Sequence, residues 1–163
     1  MLINMKACTN FILEDFSMFN KNLSSDELRQ QFDKKHEHIK KYKKSFHELF
    51  LLLIKDKHIN SSIFCDKTLL SPMTYSRYKR GKQYPSMRAI ITMAIAFDLD
   101  MPMVETLLLS AGYAFDLNNK VHYAYQTLVK DYQGKSIYEC NDYLAALGIE
   151  KKDFLGDKTT TED

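Results

Sequence analysis

The chain has 163 residues, of which 45% are hydrophobic and 27% are charged, and its formal net charge is +2. This length and apolar content allow one compact core with a small appendage, and they exclude a disordered chain. No apolar run approaches the roughly 20 residues that a transmembrane helix needs, so we expect no membrane partner. The N-terminus has no long apolar segment of the secretory kind, and we expect a cytoplasmic protein.

Three cysteines, Cys8, Cys65 and Cys140, lie far apart in the sequence. They form no CxxC pair and have no histidine at metal-ligand spacing, so we predict neither disulfides nor a zinc site. The five histidines also lack a carboxylate or cysteine at a spacing that suggests a catalytic group or metal ligand. We expect no cofactor, no metal and no enzyme activity.

Glycine and proline are scarce, and apolar residues recur at helical spacing along most of the chain, which predicts an all-α protein. We predict that residues 1–44 form an N-terminal helical extension, whose first 20 residues suit a short helix. Ser24 and Glu27 form a capping-box pattern, and the helix that they begin runs toward Lys44. The lysines near its end fit either a phosphate-contacting arm or a solvated helix face.

Five closely spaced helical patterns follow between residues 45 and 113 and predict a small bundle. The first places four apolar residues on one buried stripe: Phe46, Leu49, Phe50 and Leu53. The second begins at Asn60 or Ser61, and we expect Ile63 and Phe64 to point inward. The fourth and fifth begin at polar cap residues, Ser86 and Asp100.

The third pattern is a short helix inside the most basic stretch of the chain. Between Lys67 and Phe97 there are six lysines and arginines and no acidic residue, whereas residues 98–163 have six basic and twelve acidic ones. Ser71 suits the N-cap, Pro72 the first helical position and Gly81 the left-handed residue that ends a helix. A short basic helix of this kind fits the major groove of DNA.

Two further amphipathic helices are expected in residues 114–156, before a flexible tail at residues 157–163. We expect Asn118 to cap the first, and Ser136 with Glu139 forms a capping box for the second. Their apolar stripes have two alternative uses. They enlarge the core of the bundle, or they form a subunit contact.

Residues 46–112 resemble the Cro/lambda-repressor type of helix-turn-helix, the XRE-like family of bacterial and phage regulators. The resemblance rests on the order of five helices and on two motifs, Tyr75-Ser76-Arg77-Tyr78-Lys79-Arg80-Gly81 and Pro85-Ser86. It implies a nucleoid-associated regulator, with a repressor expected, that binds double-stranded DNA in a sequence-specific way. It also implies a homodimer on a near-palindromic operator, which we expect the C-terminal helices to support.

The resemblance implies a role for individual residues of the third helix, the recognition helix Ser71–Arg80. Met73, Thr74 and Arg77 would face base edges, with Arg77 the strongest candidate because its guanidinium matches guanine O6 and N7. Tyr75 and Tyr78 would pack inward. A further set would meet phosphates or attract them: Ser61, Ser71, Ser76, Lys79, Arg80, Lys82 and Arg88.

The sequence departs from the family's pattern at three places. Ser61 and Pro72 stand where glutamine is frequent, and neither hydrogen-bonds a base as glutamine does. Leu69 stands where the turn often has glycine. Either the turn is wound differently here, or it accepts strain of roughly 1 kcal/mol or more.

A second function from another class stays open alongside DNA binding. A helix-turn-helix scaffold also suits a protein-binding adaptor or an antitoxin-like module that docks a partner through the acidic C-terminal third. That alternative predicts weak, salt-insensitive binding to duplex DNA, whereas a DNA reader loses affinity steeply as salt rises. RNA binding is a third possibility, but the aromatic platform that it needs is not evident.

Overall fold

The structure is a computed structural model that describes residues 24–42 and 44–157. The short helix predicted in the first 20 residues and the tail at residues 158–163 therefore lie outside the described residues. So do the side chains of four lysines of the predicted basic cluster: Lys35, Lys40, Lys41 and Lys43.

The described residues form eight α-helices and one 3₁₀ turn, with no strand among them, which confirms the all-α class. The first four helices are α1 (Ser25–Tyr42), α2 (Phe46–Asp56), α3 (Ser61–Thr68) and α4 (Pro72–Lys79). The other four are α5 (Met87–Ala96), α6 (Met101–Ser110), α7 (Lys120–Asp131) and α8 (Ile137–Ala146), followed by the 3₁₀ turn Lys151–Asp153. None of the helices in the described ranges has both the length and the apolarity to cross a bilayer.

The chain divides into two compact units, residues 1–43 and residues 44–163. In the first unit, α1 begins with the predicted capping box: Ser24 N donates to Glu27 Oε2 at 2.9 Å and Glu27 N donates to Ser24 Oγ at 3.4 Å. Further along α1 the ring of Phe32 stacks on His36 with 5.9 Å between centroids. Phe32 is 54% exposed, so this stack is largely open to solvent.

In the second unit, the predicted helix starts are mostly confirmed. Asn60, rather than Ser61, caps α3, and Ser86 and Asp100 cap α5 and α6 as expected. Two residue-level predictions are wrong. Ile63 is 37% exposed because only Phe64 and Thr68 of the eight-residue α3 face the core, and Asn119 rather than Asn118 caps α7.

α5 is the central helix of the second unit, and eight of its ten residues are buried. It packs against α3 and α6 and also against both C-terminal helices, α7 and α8. Buried residues of α7 and α8 join the same core as those of α2 to α6: Ala124, Tyr125, Leu128, Val129, Ile137, Cys140 and Leu144. Of the two predicted uses for the C-terminal apolar stripes, the structure shows core enlargement.

Burial also sets the chemistry of the one cysteine in this part of the core. Cys140 is fully buried, and burial raises the pKa of its thiol to about 11. A thiol with so high a pKa stays protonated near neutral pH and packs as a small apolar group.

Because the C-terminal helices share one core with α2 to α6, damage to α8 should destabilise the whole second unit. Leu144 is fully buried on α8, so Leu144→Ala should lower the free energy of unfolding by about 2–5 kcal/mol in a single transition. Urea denaturation followed by circular dichroism and tyrosine fluorescence measures this. Tyr138→Ala, at a residue of the same helix that is 58% exposed, is the control and should change stability by less than about 0.5 kcal/mol. A second, separate transition in Leu144→Ala would contradict the shared core.

Candidate nucleic-acid interface

The position of α4 is set by an aromatic cluster that holds its inner face. Phe50 of α2 is fully buried, and its ring lies 6.0 Å from Tyr75 and 5.7 Å from Tyr78, both in edge-on geometry. Phe64 of α3 lies 5.3 Å from Tyr75, and Phe46 lies 5.4 Å from Tyr78. Edge-to-face pairs add about 0.5–1.5 kcal/mol each beyond the area that they bury. The predicted inward packing of Tyr75 and Tyr78 is confirmed.

Both tyrosines of α4 are buried, so their side chains are not available to a ligand at the surface. The Tyr75 hydroxyl donates to the carbonyl of Ile59 at 3.3 Å. Burial raises the pKa of Tyr78 to about 12, with smaller and opposing influences from Arg88 and Asp157. Neither ring is free to stack on a base, so the outward surface of α4 must do any recognition.

Both ends of α4 are closed by specific contacts. At the start, Ser71 Oγ accepts from Thr74 N at 3.2 Å, and Pro72 occupies the first turn. At the end, Gly81 adopts φ +64°, and Lys82 N donates to the carbonyl of Arg77 at 2.8 Å. His47 Nδ1 lies 3.1 Å from the carbonyl of Tyr78 and donates its hydrogen, since a carbonyl only accepts. The helix is short but fixed at both termini.

The outer face of α4 brings three of the predicted residues together. Met73 and Arg77 of α4 and Arg80, the C-cap residue just after it, have the spacing i, i+4, i+7, which places them on one side of the helix. Met73 is 59% exposed, and both arginines are exposed as well. This exposed row lies opposite the buried tyrosines.

The cations around this row have no acidic partner within the described residues. The salt bridges in those ranges join Lys135 to Glu139 and Lys152 to Glu150, and neither involves α4. Arg80 Nε donates to the carbonyl of Ser76 at 3.2 Å, which lays its guanidinium along its own helix. Lys79 lies 5.9 Å from the centroid of the Tyr75 ring. These contacts orient the charges without neutralising them.

Four other predicted site residues are less exposed. Thr74 is half-buried, and its Oγ1 lies 3.0 Å from Ser71 Oγ, so part of its bonding capacity is used within the cap. Ser71 and Ser76 are also half-buried, and Ser61 lies half-buried in the first turn of α3. Lys82, by contrast, is exposed just after Gly81.

Arg88 has a structural role that the sequence did not indicate. Its Nη1 donates to the carbonyls of Lys152 at 3.2 Å and Phe154 at 3.4 Å, near the C-terminal end of the described chain. Arg88 is only half-exposed on α5. Because its guanidinium is committed to these carbonyls, we do not include Arg88 among the candidate phosphate contacts.

Two residues of the loop after α4 were missed by the sequence interpretation. Gln83 Oε1 accepts from Arg77 Nη1 at 3.5 Å, a long contact that nevertheless directs the guanidinium toward this loop. Tyr84 is 69% exposed, more than any other large apolar side chain in the described residues. Their position in the short loop between Gly81 and Pro85 could have indicated their exposure, because the side chains in the middle of such a loop point away from the core.

The conformation of Leu69 decides between the two alternatives for the turn from α3 to α4, a different winding or backbone strain. Leu69 caps α3 in the left-handed region, at φ 56° and ψ 24°. A non-glycine residue in that region costs about 1–2 kcal/mol. Thr68 offsets part of this cost, because its hydroxyl donates to the carbonyl of Phe64 at 2.6 Å and accepts from Leu70 N at 3.1 Å. The turn therefore tolerates strain rather than adopting a different winding.

The close approach of His47 to the end of α4 can be tested at Gly81. A Cβ added to Gly81 would lie 3.1 Å from Cγ of His47, whereas one added to Gly112 would meet nothing within 4 Å. Both glycines have positive φ, so Gly112→Ala should cost only the backbone strain of about 1–2 kcal/mol. Gly81→Ala should cost more, because it also displaces the His47 ring. Thermal or urea unfolding measures both, and equal losses would show that His47 does not pack against this turn.

No protein-family model, curated protein or solved structure matches the chain. Within residues 24–42 and 44–157, no group of three His, Cys, Asp or Glu side chains is placed to hold a metal ion. The candidate surface is therefore defined by its own geometry, an exposed cationic row on a short helix whose other face is fixed in an aromatic core.

Proposed function

We propose that this protein binds double-stranded DNA in a sequence-specific way as a transcriptional regulator, with α4 in the major groove. The observation that carries the proposal is the exposed row Met73, Arg77 and Arg80 on a helix fixed from behind and at both ends. A rigid helix can present side chains to base edges in one register, which sequence reading requires. In this proposal residues 45–113 form a five-helix bundle, and α3 and α4 are its helix-turn-helix.

Charge supports a nucleic acid as the partner. The stretch from Lys67 to Phe97 has six basic residues and no acidic one, and the cations of α4 are unpaired within the described residues. A duplex carries one negative charge per about 1.7 Å of its axis, so such a surface attracts it at any sequence. Lys79, Arg80 and Lys82 would contact phosphates, and Ser61 would bring the first turn of α3 to the backbone.

Sequence reading falls mainly to Arg77 in this proposal. A guanidinium that takes guanine O6 and N7 together contributes about 1–3 kcal/mol of discrimination against another base. Met73 would add apolar contact from the preceding turn of the helix. Thr74 would contribute through its methyl group, because its hydroxyl already contacts Ser71. The proposal includes two further expectations from the sequence, that the protein acts as a repressor and that it is nucleoid-associated in the cytoplasm.

A homodimer on a near-palindromic operator also belongs to the proposal. Two recognition helices one DNA turn apart would double the number of base contacts. The apolar stripes of α7 and α8 are already buried in the core of their own chain, so a dimer would use another surface. Deletion of residues 118–163 would expose the inner face of α5, and its effect would report stability rather than dimerisation.

The base-reading role of Arg77 is tested on a duplex selected from a random pool by the wild-type protein. Arg77→Ala should reduce the preference for the selected duplex over random duplex by about 5- to 150-fold, which corresponds to about 1–3 kcal/mol. Binding to random duplex should persist, because the phosphate contacts remain. Fluorescence anisotropy at fixed salt measures both affinities. Equal loss on the two duplexes would make Arg77 a phosphate contact, and a pool with no enriched sequence would contradict sequence-specific binding.

The phosphate contacts predict a measurable salt dependence. Each contact contributes about −0.9 to the slope of log K against log salt concentration. Lys82→Ala should therefore weaken binding to selected and random duplexes alike and reduce the slope by about one unit. Lys130→Ala is the matched control, because Lys130 is an exposed lysine on α7 and not on α4. A slope that both variants leave unchanged would contradict a phosphate contact at Lys82.

A further inference from the structure

The C-terminal end of the described chain is a strap, defined here as residues 151–157, that crosses the second unit and ends at the turn between α3 and α4. It consists of the 3₁₀ turn Lys151–Asp153 and four residues without regular structure. Leu155 is only 2% exposed and belongs to the core. The sequence had indicated a flexible tail from residue 157, but Asp157 is hydrogen-bonded.

Two helices of the C-terminal pair hold the first part of the strap. The Tyr125 hydroxyl of α7 donates to the carbonyl of Asp153 at 2.5 Å. Asn141 of α8 makes two hydrogen bonds with Leu155, accepting from its N at 2.7 Å and donating to its carbonyl at 3.0 Å. A side-chain amide that hydrogen-bonds to both the N–H and the carbonyl of one residue fixes the position and the direction of the strap at that residue.

The central helix α5 holds the strap from a second side. Arg88 donates to the carbonyls of Lys152 and Phe154. Thr92, which is fully buried, accepts from Gly156 N at 3.2 Å and donates to the carbonyl of Arg88 at 2.8 Å. The two polar side chains on the strap side of α5 are therefore used to hold this segment.

The end of the strap contacts the strained turn directly. Asp157 N donates to the carbonyl of Leu69 at 3.0 Å. A Cβ added to Gly156 would lie 3.2 Å from Cβ of Leu69 and 3.4 Å from the carbonyl oxygen of Thr68. Leu69 is the left-handed residue that joins α3 to α4, so the strap bears on the residue that sets the direction of α4.

We infer that the strap is a positioning element for the recognition helix: it holds Leu69 in the left-handed conformation from outside, while Thr68 holds the turn from inside. The inference rests on the proposed function for its consequence, since a displaced α4 would present Arg77 in another register. Its structural part, the coupling of the strap to the turn, stands independently of what α4 binds.

The sharpest variant is Gly156→Ala, matched with Gly134→Ala. Both glycines have positive φ, at 81° and 77°, so both substitutions strain the backbone. Only the Cβ at Gly156 would press on Leu69, because a Cβ at Gly134 would meet nothing within 4 Å. Asn141→Leu is a second variant that releases the strap without adding bulk at the turn.

Hydrogen exchange of backbone amides tests this coupling. Each variant is measured at the same number of degrees below its own thermal unfolding midpoint, so that differences in global stability do not contribute. Gly156→Ala and Asn141→Leu should accelerate exchange in residues 69–75 at least tenfold relative to Gly134→Ala, while amides in the middle of α5 stay unchanged. Faster exchange that is confined to residues 151–157 would overturn the inference. So would equal acceleration of residues 69–75 in Gly134→Ala.

DNA binding tests the consequence for the recognition helix. The two strap variants should lower the ratio of affinities for selected and random duplex at least tenfold, with affinity for random duplex changed less than threefold. Gly134→Ala should keep the ratio. A preserved ratio in both strap variants would overturn the positioning role. If the wild type binds no duplex, the proposed function fails, and the exchange measurement still decides whether the strap holds the turn.

Discussion

The rest of the structure around α4 depends on one interaction, the contact of Tyr75 and Tyr78 with the ring of Phe50. The two tyrosines lie three residues apart on an eight-residue helix, so only one face of α4 can pack against the core. The same spacing that buries them turns Met73, Arg77 and Arg80 outward. A helix this short gains little stability from its own hydrogen bonds, so its geometry comes from the cluster behind it.

Around that contact the structure surrounds α4 with supports from distant parts of the sequence. His47 of α2 meets its C-terminal end, and the turn at Leu69 connects its N-terminal end to α3. The C-terminal helices act through the strap, whose Asp157 reaches the Leu69 carbonyl. The acidic third of the chain thus has a structural connection to the basic helix, although it carries the opposite charge.

Local chemistry made much of this fold predictable, and tertiary contacts account for what was missed. Ser71, Ser86 and Asp100 were identified as caps because each is a polar acceptor ahead of an apolar-periodic segment. Ile63 was misplaced because α3 has only two turns, and its three apolar residues outnumber the two positions that face the core. Arg88 and the strap were unpredictable because no local pattern shows that a side chain will donate to carbonyls more than sixty positions away.

The outer face of α4 is the proposed surface for binding duplex DNA. Methionine methyl groups report it directly, because Met73 is 59% exposed on α4, while Met87 and Met93 are buried in α5. In a spectrum of protein labelled at its methionine methyls, titration with a selected duplex should shift or broaden the Met73 signal and leave Met87 and Met93 in place. Saturable binding of that duplex with an unmoved Met73 signal would contradict the account.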